Sequence, residues 1–418
     1  MARKIDPKVY AALLRVRQAR AFDVGCLLMR FYASMMNIGT VTMVTLAGYS
    51  FFVAGITSSV IALSTFLISP RVSKLVDERG QSKVVPVAGA VTMCGLALML
   101  GTVVMHGPAW LLLVAGLPMG FLPSPQALAR ARWTYLIRSG RLGSEAPELV
   151  VMFSYEGILD DIGFMLSPSI SIALASAIAP AAGLLAGGIA FVIGVALLLA
   201  SRSTEPEPGW GSRVQGNDNA AVAAAGKRRS IIRISPAVRV LFAIMFFVGA
   251  FFGLFDATTV ALAEEEGNPN IAGIVLIVAS LISVATSFLF GMVRLRVPQY
   301  VQLIVAAVAI GCAYGSMFLV DSALSLFVVS VIAAPFYAPL LITANATCER
   351  AVPGDRITEA ITWMNAGMTC GMAFGPSVSG IIVDTWGAAA SFDFGAVLAF
   401  AVGATAVLCA GVLKRNVR

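Results

Sequence analysis

The chain has 418 residues, 58% of them hydrophobic and only 12% charged, whereas a soluble domain carries about 45–50% apolar and about 25% charged residues. A soluble globular protein is excluded. The formal net charge of +7 invites a nucleic-acid reading, but the basic residues are spread along the chain as a membrane protein spreads them. No nucleic-acid partner is expected.

In chain order, the first segment is Asp6-Pro7-Lys8-Val9-Tyr10, followed by Leu13 and Leu14 and then Arg15, Arg17 and Arg20. It predicts a short interfacial helix within residues 1–21, capped by Asp6, with no signal-peptide cleavage site. Twelve apolar runs follow, at 22–47, 51–69, 84–105, 109–128, 149–178, 182–200, 237–262, 271–290, 300–320, 324–346, 359–383 and 387–413. Each is near the ~20 residues that a helix needs to cross ~30 Å of hydrocarbon. The runs are continuous rather than alternating, so helices and not barrel strands are predicted: an all-α integral membrane protein.

Residues 201–236 interrupt the pattern with Glu205-Pro206-Glu207-Pro208-Gly209, Asn217-Asp218-Asn219, an alanine run and Lys227-Arg228-Arg229. This composition predicts a flexible cytoplasmic linker between two six-helix halves, 22–200 and 237–418. With the N-terminus in the cytoplasm, 28 of the 29 Lys and Arg residues fall on the cytoplasmic side or at its edge, Arg30 being the exception. Glu264, Glu265, Glu266, Asp321 and Asp384 fall outside, and both termini inside. The charge balance reports topology. The six cysteines (Cys26, Cys94, Cys312, Cys348, Cys370 and Cys409) lie in or beside apolar runs without paired spacing and are read as free thiols packing as small apolar residues.

An internal repeat supports the two halves. Gly163-Phe-Met-Leu-Ser167-Pro168-Ser169-Ile-Ser171 in the fifth span matches Gly371-Met-Ala-Phe-Gly375-Pro376-Ser377-Val-Ser379 in the eleventh, at an offset of 208. Ala54-Gly55-Ile56 is echoed by Ala272-Gly273-Ile274, each opening the second span of its half. Parallel six-span repeats are what a secondary transporter with its site between halves looks like.

After the second span the chain reads Ser73-Lys74-Leu75-Val76-Asp77-Glu78-Arg79-Gly80-Gln81-Ser82-Lys83. With the span count, linker and repeat, this resembles the major facilitator superfamily over essentially the whole chain. Leu75, Asp77 and Gly80 match the family's loop motif in place, while Ser73 and Glu78 depart from it and Arg79 is displaced by one position. The resemblance implies alternating access, with Asp77, Arg79 and Gly80 as a gating motif whose aspartate approaches the start of the eleventh helix, near Thr358 and Glu359. It also likens Gly163 and Pro168, and better Gly371, Gly375, Pro376, Ser379 and Gly380, to the family's antiporter motif. The arginine that many members carry in the fourth span is missing from Gly116-Leu-Pro118-Met-Gly120.

Ionisable side chains at bilayer depth are costly enough to need a reason. Arg30, Glu156, Asp160, Asp161 and Asp256 are so placed, and the family's fold sets the first and fifth helices side by side. Arg30 is expected against Glu156 or Asp160, either as a permanent structural pair or as a protonatable group that switches during transport. Asp160, deeper along its span than Glu156, is the first candidate to titrate, and Asp256 the second site for a proton or the substrate. Arg30, Ser34, Asn37 and Thr45 form a polar stripe predicted to line a cavity; Thr362, Asn365 and Thr369 form another. Tyr337 and Trp363 are candidates to stack on an organic substrate.

The single histidine, His106, permits no histidine metal cluster or Ser-His-Asp arrangement, and no phosphate-binding loop is present. No cofactor, no metal and no catalysis are expected. The expectation is a monomeric secondary transporter in a bacterial cytoplasmic membrane, moving a small organic molecule with protons. Export is the first reading; uptake of a polar metabolite and a non-transporting receptor or assembly factor are the alternatives.

Overall fold

Backbone amides in hydrocarbon can be satisfied only by one another, locally in a helix or around a closed barrel. The computed structural model describes residues 16–142, 149–208, 210, 231–268, 270–292, 297–352 and 357–416, and among them it contains helices and no strand. The first half holds α1 (Arg17–Leu46), α2 (Phe51–Arg79), α3 (Gln81–Val104), α4 (Ala109–Met119), α5 (Pro125–Arg138), α6 (Leu149–Ala177) and α7 (Ala182–Ala200). After a one-turn helix, Ile231–Ile234, come α8 (Pro236–Glu265), α9 (Asn270–Met292), α10 (Gln299–Gly315), α11 (Ala323–Ala333), α12 (Tyr337–Arg350), α13 (Ile357–Leu408) and α14 (Ala410–Asn416). The interfacial helix expected in residues 1–21 falls largely, and the linker centre 211–230 wholly, outside the described residues.

The fourth and tenth spans are each broken, which the hydropathy pattern did not predict. Helix α4 ends at Met119, and the Ser124 hydroxyl restarts the chain by accepting from the Ala127 N–H (3.4 Å) with Pro125 in the first turn. That is a helix start written in side chains. In the tenth span a 3-10 turn at Ala334–Phe336 carries Pro335 and separates α11 from α12. The eleventh and twelfth spans run together as α13, broken only at Gly387 (φ 85°), a left-handed conformation open to glycine.

Two apolar cores result. One is built from buried residues between Ala19 and Leu198, joined by Ala257, and the other from residues between Ile231 and Leu413, joined by Ile38 and Ile172. Helices α8 and α13 approach so closely that a Cβ on Gly371 would meet the Phe246 carbonyl, and one on Gly375 the Ala250 carbonyl. Small residues at such spacing let membrane helices pack backbone to backbone.

The bundle has a basic end, bearing Arg79, Arg138, Arg350 and Lys414, and an acidic end. At the acidic end carboxylates meet helix N-termini, where free N–H groups and the helix dipole favour them. Asp384 accepts from the N–H groups of Phe51 (2.9 Å) and Phe52 (2.8 Å), Glu266 from Ala323 (2.6 Å) and Glu265 from Ala388 (2.9 Å).

The halves meet at this end. Gly55 of α2 lies on the Pro376 carbonyl and Ser377, and its repeat partner Gly273 of α9 faces Ser169 and Ile172 of α6. The two sequence echoes are therefore the two sides of one repeated contact, tight across α2 and α13 and looser across α9 and α6. Ser59 bonds the Ala373 carbonyl and accepts from Ser377 (2.7 Å), and Thr45 donates to Glu264 (2.7 Å). Toward the basic end Asn345, Thr362 and Asn365 are exposed.

Gly375→Leu would force a side chain into backbone, an overpacking of about 1–3 kcal/mol, and should lower the melting temperature of the purified protein. Gly101→Leu, where nothing lies within 4 Å, should stay near wild type. Equal melting of both variants would refute the close packing of α8 and α13.

Candidate functional site

Seven residues apart on α1, Asp23 and Arg30 share a face two turns apart. Helix α6 presents Tyr155, Glu156 and Asp160 to them, and α5 presents Arg130 and Trp133. Arg30 and Glu156 form an ion pair, with side chains 1% and 0% exposed. The Arg30 Nε also lies 2.9 Å from Asp160 Oδ1, and Arg130 donates to Asp160 Oδ2 at 2.7 Å. Asp23 accepts from the Trp133 indole (3.2 Å) and the Tyr155 hydroxyl (2.5 Å), and its carboxyl group faces that of Glu156.

Three carboxyl groups thus meet two guanidinium groups. Asp160 bridges both arginines, so depth along the span did not leave it the uncompensated acid. The facing pair Asp23 and Glu156 shares the remaining charge, and Glu156 Oε1 and Asp160 Oδ1 are both buried without a hydrogen-bond partner. The Asp161 side chain lies outside the described residues. Asp23 and Arg130 escaped the sequence reading because both sit near span edges, where a charge reads as an interfacial anchor.

Arg132 was also missed. It is fully buried and donates to Gln81 Oε1 (2.7 Å), the Ser201 carbonyl (2.7 Å) and Thr204 Oγ1 (2.9 Å). These partners are neutral and lie at the start of α3 and just beyond α7, so Arg132 ties those two helix ends to α5 at the basic end.

A second polar locus lies between the halves. Asn37, Ile38 and Val41 of α1, Ser58 of α2, Asp256 and Ala257 of α8, and Met372 and Pro376 of α13 line a narrow cleft. Of the stripe on α1, Asn37 reaches this cleft, Thr45 is held by Glu264, and Ser34 is half-buried away from the lining. Tyr337 packs against Phe252 (4.5 Å between ring centroids) and Trp363 against Phe242 (6.4 Å), while Asn365 is exposed. None of these last three lines the cleft.

Asp77 and Arg79 are exposed at the end of α2, without an ion pair among the described residues, and the side chains of Thr358 and Glu359 lie outside those residues. Gly80 turns the chain into α3 at φ 94°, beside Glu205, which accepts from the Ser82 N–H (2.9 Å). Gly163 lies against the Arg30 side chain, while Gly371, Gly375 and Pro376 are in the α8 and α2 contacts described above.

The sequence matches the profile of the Major Facilitator Superfamily over residues 146–355, half of the chain and parts of both halves. The chain belongs to that superfamily: it is a multi-pass membrane transporter and not an enzyme. In fold it is similar to the nucleoside transporter NupG (11% identity, TM-score 0.68, 96% of this chain and 99% of that one). It is likewise similar to the POT family transporter PepTSo (11%, 0.69, 96% and 99%). A bacterial homologue of the iron transporter ferroportin, in an inward-facing state, matches too (15%, 0.64, 99% and 99%). No curated protein matches the chain in sequence.

Removing one partner of a buried ion pair leaves the other uncompensated, at about 3–5 kcal/mol, whereas replacing both by apolar groups is near neutral. Arg30→Met and Glu156→Met should each lower the melting temperature, and the double variant should recover most of the loss. Additive losses would show that the two side chains are not coupled.

Proposed function

We propose that the chain is a proton-coupled secondary transporter that exports a small organic molecule by alternating access. The observation that carries this reading is the group of three carboxyls and two arginines in the first half, buried at Asp23, Arg30 and Glu156 and reaching partly exposed Asp160 and Arg130. Intramembrane charges of this kind mark proton relays, and permanent packing needs no surplus acid.

The basic end is the cytoplasmic one, by the one-sided distribution of Lys and Arg, and the membrane is the bacterial cytoplasmic membrane. The acidic, external end is closed by the contacts of Gly55, Ser59, Thr45 and Asp384. The cleft is then loaded from the cytoplasm.

One helix links cargo to proton. Asn37 in the cleft and Arg30 in the ion group are seven residues apart on α1, about 10 Å along its axis. Open outward and free of cargo, the protein holds Arg30 mainly on Asp160, and Glu156 with Asp23 takes a proton from outside. Cargo entering from the cytoplasm at Asn37 shifts α1, Arg30 regains Glu156 as in the present structure, and the proton leaves to the cytoplasm. A membrane potential of 100 mV contributes about 2.3 kcal/mol per charge moved.

Single cysteines at Met105 and Ser139, in a cysteine-free background, should react with an impermeant thiol reagent from opposite sides, Met105→Cys from outside. Labelling of both from one side would overturn the orientation. In proteoliposomes loaded with a cargo found by thermal shift, Glu156→Gln should abolish accumulation driven by a pH gradient and retain counterflow exchange. Accumulation by Glu156→Gln with unchanged pH dependence would place the proton elsewhere.

A further inference from the structure

We infer that the cargo is a small organic amine in its protonated form, bound in the cleft between Asp256 and Asn37. The inference rests on the transport reading above and adds the chemical class of what is carried.

The cleft residues occupy one layer of the membrane. Asp256 and Asn37 each lie nine residues from the acidic end of their helices, α8 and α1, about 14 Å, and Ser58 lies seven residues into α2, about 10 Å. At this depth the chain offers Asp256 no positive partner. No Lys or Arg occurs between Arg239 and Arg294, between Arg296 and Arg350, or between Arg356 and Lys414. In the first half, Arg30 and Arg130 are held by Glu156 and Asp160, and Arg132 by its three neutral acceptors. Asp256 itself makes no ion pair or hydrogen bond among the described residues, and the walls beside it are Ile38, Val41, Met372 and Pro376. An acid in such a place needs a cation or a proton from outside the chain.

The neighbouring polar atoms choose between the two. Asn37 Oδ1 is buried and has no hydrogen-bond partner. The Ser58 hydroxyl spends its proton on the Asn37 main-chain carbonyl (3.5 Å), so its lone pairs are what it offers the cleft. A proton on Asp256 would neutralise the acid but supply a single O–H donor for the acceptors of Asn37 and Ser58. A carboxylate or alcohol cargo would leave Asp256 without a counter-charge. A primary ammonium group supplies the charge to Asp256 and further N–H donors to Asn37 and Ser58, and its apolar body matches the walls. A quaternary ammonium has the charge without the donors. One helical turn toward the basic end, on the same face of α8 as Asp256, Phe252 packs at a tilt against Tyr337, aromatic surface of the kind that attracts a cation.

The test uses the full-length purified protein and primary amines from ethylamine to phenethylamine, each with its matched alcohol, carboxylate and trimethylammonium analogue. At least one amine should raise the melting temperature saturably, its alcohol and carboxylate should not, and its trimethylammonium analogue should bind at least tenfold more weakly. Asp256→Asn should weaken amine binding at least tenfold and Asn37→Ala several-fold, while Asp256→Glu, which keeps the charge, should retain a measurable response. Stabilisation by alcohols or carboxylates alone, by no amine, or by amines equally in wild type and Asp256→Asn would overturn the inference. Counterflow of the same compounds separates the two readings. Asp256-dependent amine binding without flux would refute transport and leave the cation site standing; flux of a carboxylate would do the reverse.

Discussion

A guanidinium group cannot be left alone in hydrocarbon, and Arg30 is where this protein meets that constraint. Its 1% exposure requires Glu156 and Asp160 of α6 beside α1. Asp160 in turn holds Arg130 of α5, while Asp23, two turns away on α1, is held by Trp133 and Tyr155. Three helices are thus registered on one another by charge. Apolar side chains would hold them as well or better, since buried ion pairs seldom outdo hydrophobic replacements. Keeping the charges therefore points to a use for them beyond packing.

The repeat-related halves treat charge differently. The first half carries cations and anions together, so its interior groups are largely matched within that half. The second has one acid at the cleft, Asp256, and no cation at its depth. A proton relay needs partners that can be exchanged, and Arg30 has two. A binding site needs a deficit that only a ligand can fill. Two copies of one six-helix plan have diverged by placing arginines in one and leaving them out of the other.

Much of this was legible in the sequence. Span positions follow from hydropathy because the bilayer admits so few structures, and Arg30, Glu156 and Asp160 stand out because charge inside an apolar run is rare. The Gly55 and Gly273 echoes, and the repeat around Pro168 and Pro376, were visible as similarity before they were visible as contact. What could not be read was partnership. Asp23, Arg130 and Arg132 sit where basic and acidic residues ordinarily face water, and only the folded positions of the helices bury Asp23 and Arg132 and set Arg130 against Asp160. The breaks at Gly120–Ser124 and Pro335 lie in runs whose mean hydropathy stays high, so a window sees a span where the backbone turns. Asn365 was read as a cavity residue from its spacing and Trp363 as a ring that could stack on a substrate; in the fold Trp363 packs against Phe242 and Asn365 is exposed.

The seam between α2 and α13 is made largely of main chain: the glycine faces of Gly55 and Gly380 lie on the Pro376 and Phe51 carbonyls. Attraction of this kind has a very short reach, losing a quarter to a half of its depth over a gap of about 0.5–1 Å. The side chains that also cross it, Ser59, Ser377 and Asp384, are short ones with little length to stretch and keep hold as the surfaces part. Such a joint behaves as a snap fastener and not as a spring: it is fully engaged or scarcely engaged at all. The halves then have little reason to linger half open, and a membrane protein that must never leave a continuous channel for protons is served by a closure that has no intermediate setting.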